Sequence, residues 1–321
     1  MAAADPVFRS RRLGHVNLFV DDVDRSTRFY NDVCGLALEF RELGLRASFM
    51  GTGHTPHDLG MIETTKGKDR YGKDGHLQLP KEAGETVRLN HIAWEIENEV
   101  ELVAGYKRAR ARGVKIGRLA DHQVAHSIYV ADPDGNVVEF YVDTVHDWRK
   151  VLHGDLDLIT STWDPEGAEP FADSRYDLEP AVRRVEQAAF HPRRLTHVVL
   201  ATHDVSRQEA FYTDVAGLQT VQRAAGGDIV LMRGRYDAVP FHLGIVKVGA
   251  ETATGLHHFA LELDEPAPAS AAAIERRIDS VSKASTFLKD PDGFLIELFT
   301  TKPGARGPDL AASGAPIPYL I

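Results

Sequence analysis

Three stretches of this chain occur twice, in the same order. LGHVNLFVDDVDRSTRFYNDVCGL from Leu13 aligns without a gap with LTHVVLATHDVSRQEAFYTDVAGL from Leu195. LNHIAWEI from Leu89 pairs with LHHFALEL from Leu256, and IYVADPDGNVVEFYV from Ile128 with TFLKDPDGFLIELFT from Thr286. Self-similarity at this spacing constrains the chain to two copies of one domain, over 13–143 and 195–301. Its 321 residues suit about two domains.

Each copy also divides in two. Leu13–Val20 alternates like a strand, with His15, Asn17 and Phe19 on one face. Asp21 and Asp22 offer an N-cap to a helix ending at Gly35, and short strands follow, the last near Leu59–Ile62. The order repeats from Leu89: a strand, a helix over about 100–112 stopped by Gly113, and a hairpin turn at Asp132-Pro133-Asp134-Gly135 leading into Val137–Val142. Residues 1–12 read as an N-terminal arm. Residues 144–194 read as a linker with helical segments such as Ala181–Ala189, and 302–321 as a Pro-, Gly- and Ala-rich tail.

Composition excludes several classes. The net charge of −10 argues against nucleic acid or an anionic membrane as a general partner, since both attract cationic surfaces. Cys34 is the one cysteine, so there is neither an intramolecular disulfide nor a multi-Cys metal site. There is no run of about 18 apolar residues and no secretory h-region, so a cytoplasmic protein is expected.

Among the 15 histidines, His15 and His91 open the first strands of the two half-domains. Glu139 interrupts an apolar strand between Val138 and Phe140. An ionised carboxylate within a sheet is costly unless it is paired, solvated or bound to a metal. Two His and one carboxylate form the facial triad suited to non-haem Fe(II), with positions left for substrate and O₂. The second copy holds His197, His258 and Glu297 in the same slots, a candidate second metal site. Trp94 and His257 fall on the opposite faces of their strands from the neighbouring His and are expected to be structural.

The motifs LGHVNL, LNHIAWEI and IYVADPDGNVVEFY resemble those of the vicinal oxygen chelate superfamily, which includes glyoxalase I, bleomycin-resistance proteins and extradiol ring-cleaving dioxygenases. The resemblance implies an α+β fold of tandem βαβββ modules, two per domain, in a curved mixed sheet around a metal. The chain is most similar to two-domain extradiol dioxygenases such as catechol 2,3-dioxygenase. That likeness implies Fe(II), or Mn(II), on His15, His91 and Glu139, and catalytic roles for His57, His122 and Tyr129. His126 is a rival for the loop-histidine role. It implies a small catechol-type aromatic and O₂ as substrates, and a homo-oligomer. In the second copy, alignment sets Phe241 opposite His57, Ser280 opposite His122 and Phe287 opposite Tyr129, so the first domain is expected to be catalytic and the second not. The alternative is a glyoxalase-like lyase, isomerase or transferase on Ni(II), Zn(II) or Co(II), with a fourth ligand near Asp58–Glu63, for which Glu63 is the candidate. A drug-binding resistance protein is a further alternative, which the triad disfavours.

Overall fold

The structure is a computed structural model and describes residues 5–177, 179–236, 238–266, 277–278 and 285–300. The first half-domain runs β1 (Arg12–Val20), α1 (Val23–Asp32), β2 (Ala37–Glu42), β3 (Ala47–Gly51) and β4 (Leu59–Glu63). A small ribbon of β5 (Arg70–Tyr71) and β6 (Leu77–Leu79) follows. The second half-domain runs β7 (Arg88–Glu95), α2 (Glu99–Ala111), β8 (Ile116–Asp121), β9 (Ala125–Ala131) and β10 (Val137–Asp143). With β11 (Gly154–Leu156) these strands form a nine-stranded mixed sheet in the order β11-β2-β3-β4-β1-β7-β10-β9-β8. The two βαβββ halves meet where β1 and β7 run antiparallel; β4 and β10 flank that seam in parallel.

The second copy repeats the arrangement with β12 (Pro192–Thr202), α3 (Val205–Asp214), β13 (Gln219–Arg223), β14 (Ile229–Arg233), β15 (Leu243–Lys247), β16 (Gly255–Leu263), β17 (Arg277–Ile278), β18 (Ser285–Lys289) and β19 (Leu295–Phe299). Its sheet order is β13-β14-β15-β12-β16-β19-β18-β17, with β12 antiparallel to β16. The expected α+β fold of curved mixed sheets is what forms. Among the described residues, no helix is long and apolar enough to cross a membrane.

Local signals act as the sequence suggests. Asp22 caps α1 by accepting from the Arg25 amide, and Asn98 caps α2 by accepting from Glu101. Gly113 takes φ 68° just after α2, the left-handed conformation in which a Cβ would be strained.

The linker departs from expectation. Ala181–Ala189 makes only a turn near its end, not a helix. Its backbone groups are drawn to distant partners instead: the Arg183 amide donates to Thr52 O, and the Ala189 amide to Asp32 O. Tertiary hydrogen bonds here outweigh a modest local helix preference. The same linker supplies β11, paired to β2, so part of it belongs to the first sheet. Ser280 and the tail lie outside the described residues.

The two domains are tied by exchanged hydrogen bonds. Tyr30 on α1 donates to Asp290 at 2.8 Å, and Tyr212 on α3 donates to Asp132 at 3.1 Å. Each aspartate opens the Asp-Pro-Asp-Gly turn of the other domain, and each Tyr is fully buried. Arg25 and Ser26 also bind Asp292 at 2.7 and 2.8 Å. The N-terminal arm is part of this joint. Phe8 stacks on Phe140 at 3.9 Å, while the Val7 and Phe8 amides donate to Asp214 O and Val215 O.

Removing one buried hydroxyl leaves its carboxylate partner short of a donor. Tyr30→Phe and Tyr212→Phe are each expected to destabilise the chain by about 1–3 kcal/mol in chemical denaturation. Unchanged midpoints in both variants would show that the exchanged bonds do not hold the domains together.

Candidate metal centre

Strand register brings the sequence-distant donors together. Ala93 on β7 lies directly opposite His15 on β1 and opposite Glu139 on β10. Residues opposite each other in a ladder share a face, and so do residues two apart on one strand. His15, Ala93, His91 and Glu139 therefore point to one side of the sheet, with the small Ala93 leaving room between the longer side chains. Glu139 is also opposite Tyr129 on β9, which places that hydroxyl on the same side.

Two irregularities refine the aim. The β1–β7 register shifts between Leu13 and His15, and again between Asn17 and Leu18, leaving Gly14 and Asn90 as extra residues. Such bulges redirect neighbouring side chains. A Cβ at Gly14 would stand 2.3 Å from the Tyr141 hydroxyl, so the first bulge needs glycine to pass beneath that ring.

The donors converge tightly. His15 Nε2 is 3.1 Å and His91 Nε2 3.0 Å from Glu139 Oε2, and the two nitrogens are 3.1 Å apart. Adjacent ligands around an ion with bonds of about 2.1 Å stand ~3.0 Å apart when octahedral, so the set fits a first-row dication bound on one face. Its protonation suits a cation too. Burial alone would raise the Glu139 carboxyl, but His91 and His15 pull it well below the usual carboxylate range. Burial lowers the His15 imidazole and keeps it neutral. Among the described residues no fourth His, Cys, Asp or Glu joins this group.

A directed hydrogen-bond chain leads away from the carboxylate. Tyr129 donates to Glu139 Oε1 at 2.7 Å, so its oxygen accepts from His122 Nε2 at 2.9 Å. His122 therefore carries its proton on Nε2, and its Nδ1 accepts from the Thr160 hydroxyl at 3.1 Å. Burial raises the Tyr129 phenol well above its ordinary value, with the Glu139 charge adding to the effect, and lowers His122 to about 4. Both groups are thus neutral near pH 7.

His57 sits in the bent segment just before β4, its ring 4.1 Å from that of His15. Both of its ring nitrogens are buried without a hydrogen-bond partner among the described residues, a costly state that a ligand would relieve. Burial keeps this imidazole well below its usual pKa, hence neutral. All six residues line one cavity of about 490 Å³, whose outer walls include Phe40, Phe49, Leu79 and Leu158. That is the size and polarity of a small-molecule site.

Other candidates lie elsewhere. His126 turns away from the cavity to Glu99, at 2.5 Å, and stacks on Trp163. Glu63 is engaged by Arg46 through two 2.8 Å bonds. Trp94 is fully buried against Tyr212. His257 is corrected: simple alternation would turn it away from His258, but it occupies a bulge, and its Nδ1 meets His258 Nδ1 at 2.8 Å. His197, His258 and Glu297 also converge, around Ala260.

Sequence reasoning missed Thr160, which reaches the site from the linker, and Glu42, a buried carboxyl on the cavity wall. Glu42, at the end of the ALEFRE strand, gives no signal of its burial. Burial pushes Glu42 up to about 8, and the Asp157 charge adds to this. A raised carboxyl contributes stability that is complete below its unfolded value of 4.5 and is lost as pH rises through about 8. Relative to Glu42→Gln, the wild type should therefore lose on the order of 5 kcal/mol across that window, measured by denaturation at several pH values. Parallel stability curves for the two proteins would contradict this assignment.

The geometry can be set beside known proteins. Residues 12–140 match the family model of the Glyoxalase/Bleomycin resistance protein/Dioxygenase superfamily. The chain is 26% identical over 221 residues to the catechol-2,3-dioxygenase of Bacillus subtilis (strain 168), covering 68% of this chain and 70% of that protein. In fold it is similar to homoprotocatechuate 2,3-dioxygenase from Arthrobacter globiformis, at TM-score 0.62 and 18% identity, over 93% of this chain and 82% of that one. It is also similar to the Mn(II)-bound glyoxalase from Novosphingobium aromaticivorans, at TM-score 0.60 and 15% identity, over 91% and 82%. The repeated βαβββ halves and the convergent His/His/Glu set accompany this match: residues 12–140 are similar to the Glyoxalase/Bleomycin resistance protein/Dioxygenase superfamily.

Proposed function

We propose that this protein is a metal-dependent extradiol dioxygenase, which inserts O₂ into a catechol-type ring next to the vicinal hydroxyls. One observation carries the reading. The three-donor set leaves one side bare, and that side faces a cavity into which three proton-handling groups, His57, His122 and Tyr129, also project. The similarity to a catechol-2,3-dioxygenase supports it.

His15, His91 and Glu139 hold the metal, with Fe(II) the preferred ion and Mn(II) the close substitute. When bound, such an ion supplies Lewis acidity that favours ionised catechol oxygens, and a redox path between ring and O₂. The chain's residues do the rest. Tyr129 occupies Glu139 Oε1 with a hydrogen bond and so leaves Oε2 as the carboxylate's donor towards the two imidazoles. The apolar walls position the ring and exclude bulk water. His57, neutral and unpartnered, accepts a proton from one catechol hydroxyl as it binds. His122 donates its Nε2 proton to oxygen during ring opening, and Thr160 holds its other nitrogen so that the ring keeps this tautomer. Both atoms of O₂ enter the product, so the reaction needs no external reductant.

The second reading is a glyoxalase-like lyase, isomerase or transferase using Ni(II), Zn(II) or Co(II), for which the similar glyoxalase structure speaks. A fourth protein donor would favour it. At the expected place the chain has Gly60, and Glu63 is paired with Arg46.

After anaerobic Fe(II) loading, the protein should consume O₂ with members of a catechol panel and release a coloured ring-opened product in equal amount. Nickel-dependent turnover of a thiohemiacetal without O₂ uptake would overturn the reading. His57→Phe should lower kcat by about 10²–10⁴-fold with metal content nearly unchanged. Equal loss of metal and activity would instead make His57 a ligand.

A further inference from the structure

We propose that the second domain holds its own metal ion, in a closed structural site formed by His197, His258 and Glu297 and independent of the reaction proposed above. The first observation is unmet polarity. His197, His258 and Glu297 are 1%, 0% and 0% exposed. Yet His197 Nε2, His258 Nε2 and both Glu297 oxygens have no hydrogen-bond partner among the described residues. Four such atoms gathered in one buried spot are too costly to leave unpaired. A cation at their centre would satisfy all four.

The second observation is orientation. The Thr196 hydroxyl donates to Ala260 O at 3.2 Å, so at 3.0 Å it accepts from the His197 Nδ1 proton. This fixes the His197 tautomer with the Nε2 lone pair turned inward. His258 Nδ1 lies 2.8 Å from His257 Nδ1, a contact that holds the His258 ring in place with Nε2 turned towards Glu297. Metal-binding histidines are commonly oriented in this way through their other nitrogen.

The third observation is the contrast between the copies. Tyr129 takes one oxygen of Glu139, but its counterpart opposite Glu297 is Phe287, which has no hydroxyl. Both Glu297 oxygens are thereby free, giving four donors rather than three. Phe241 replaces His57, its ring 4.2 Å from that of His197, and Phe299 replaces Tyr141. The three residues are almost wholly buried, whereas His15, His91 and Glu139 line the large cavity of the first domain. Each imidazole Nε2 lies 3.4 Å from Glu297 Oε2, against 3.0–3.1 Å in the first set. That wider edge matches tetrahedral spacing at bonds of about 2.1 Å, with Glu297 Oε1 left as a further, chelating contact, and two imidazoles with a carboxylate suit Zn(II).

The test is metal stoichiometry on the full tag-free chain, expressed with zinc and dialysed against a chelator. The open first site should empty, while about one equivalent of Zn(II) remains in the wild type and in His91→Ala. Glu297→Gln should lose that equivalent. Should Glu297→Gln fail to fold, His91→Ala refolded with and without Co(II) gives the same answer. One equivalent of Co(II), with visible ligand-field bands and a raised Tm, supports the site. His91→Ala that retains no Zn(II), or refolds with no Co(II) bands and an unchanged Tm, overturns it. Failure of the dioxygenase assay would leave these measurements untouched, so the two ideas stand or fall separately.

Discussion

A single buried anion organises the first domain. Glu139 lies in the interior of a sheet whose other buried positions on β10 are mostly apolar, and it stays ionised only because His15 and His91 face it from two neighbouring strands. Those strands come from different half-domains, so the seam between β1 and β7 cannot slip by one residue without turning one histidine to the opposite face. The bulges at Gly14 and Asn90 set that register locally. Tyr129, His122 and Thr160 extend the same demand outward, each accepting or donating in one direction only. Fold and chemistry therefore share a requirement: the charge must be compensated, and the compensation must leave one side open.

The two copies show how little must change to redirect such a site. Both keep two histidines, a glutamate and a central alanine on equivalent strands. Around the second set, Phe241, Phe287 and Phe299 replace His57, Tyr129 and Tyr141. At the bulge equivalent to Gly14 the second copy has Thr196, beside Phe299 in place of Tyr141. The exchange surrounds the second His/His/Glu set with apolar rings, and its three residues are almost wholly buried. Duplication also built the joint, since each copy supplies a helix tyrosine and receives one on its turn aspartate.

Some features are legible from residues alone, because they depend on short-range pattern. Duplication, the strand–helix–strand order, the helix caps and the two His/His/Glu sets are all visible in the sequence, and the structure brings each set together. The choice between His122 and His126 is not, because both lie within one short loop-and-strand segment. Tertiary contacts separate the two side chains: Glu99 and Trp163 engage His126 from distant parts of the chain, while His122 lines the cavity. Thr160 is equally silent: nothing in its neighbours marks it until the linker folds back along the sheet.

By itself, then, the sequence determined the repeat, the fold class and the two candidate His/His/Glu sets, since these follow from periodicity and from the rarity of charge within an apolar strand. Tertiary structure decided which surrounding residues reach the donors, which proton each carries, and that the linker yields a strand rather than a helix at its far end. Those outcomes depend on register, burial and hydrogen-bond partners contributed from far along the chain, and no local pattern encodes where a distant backbone group will be.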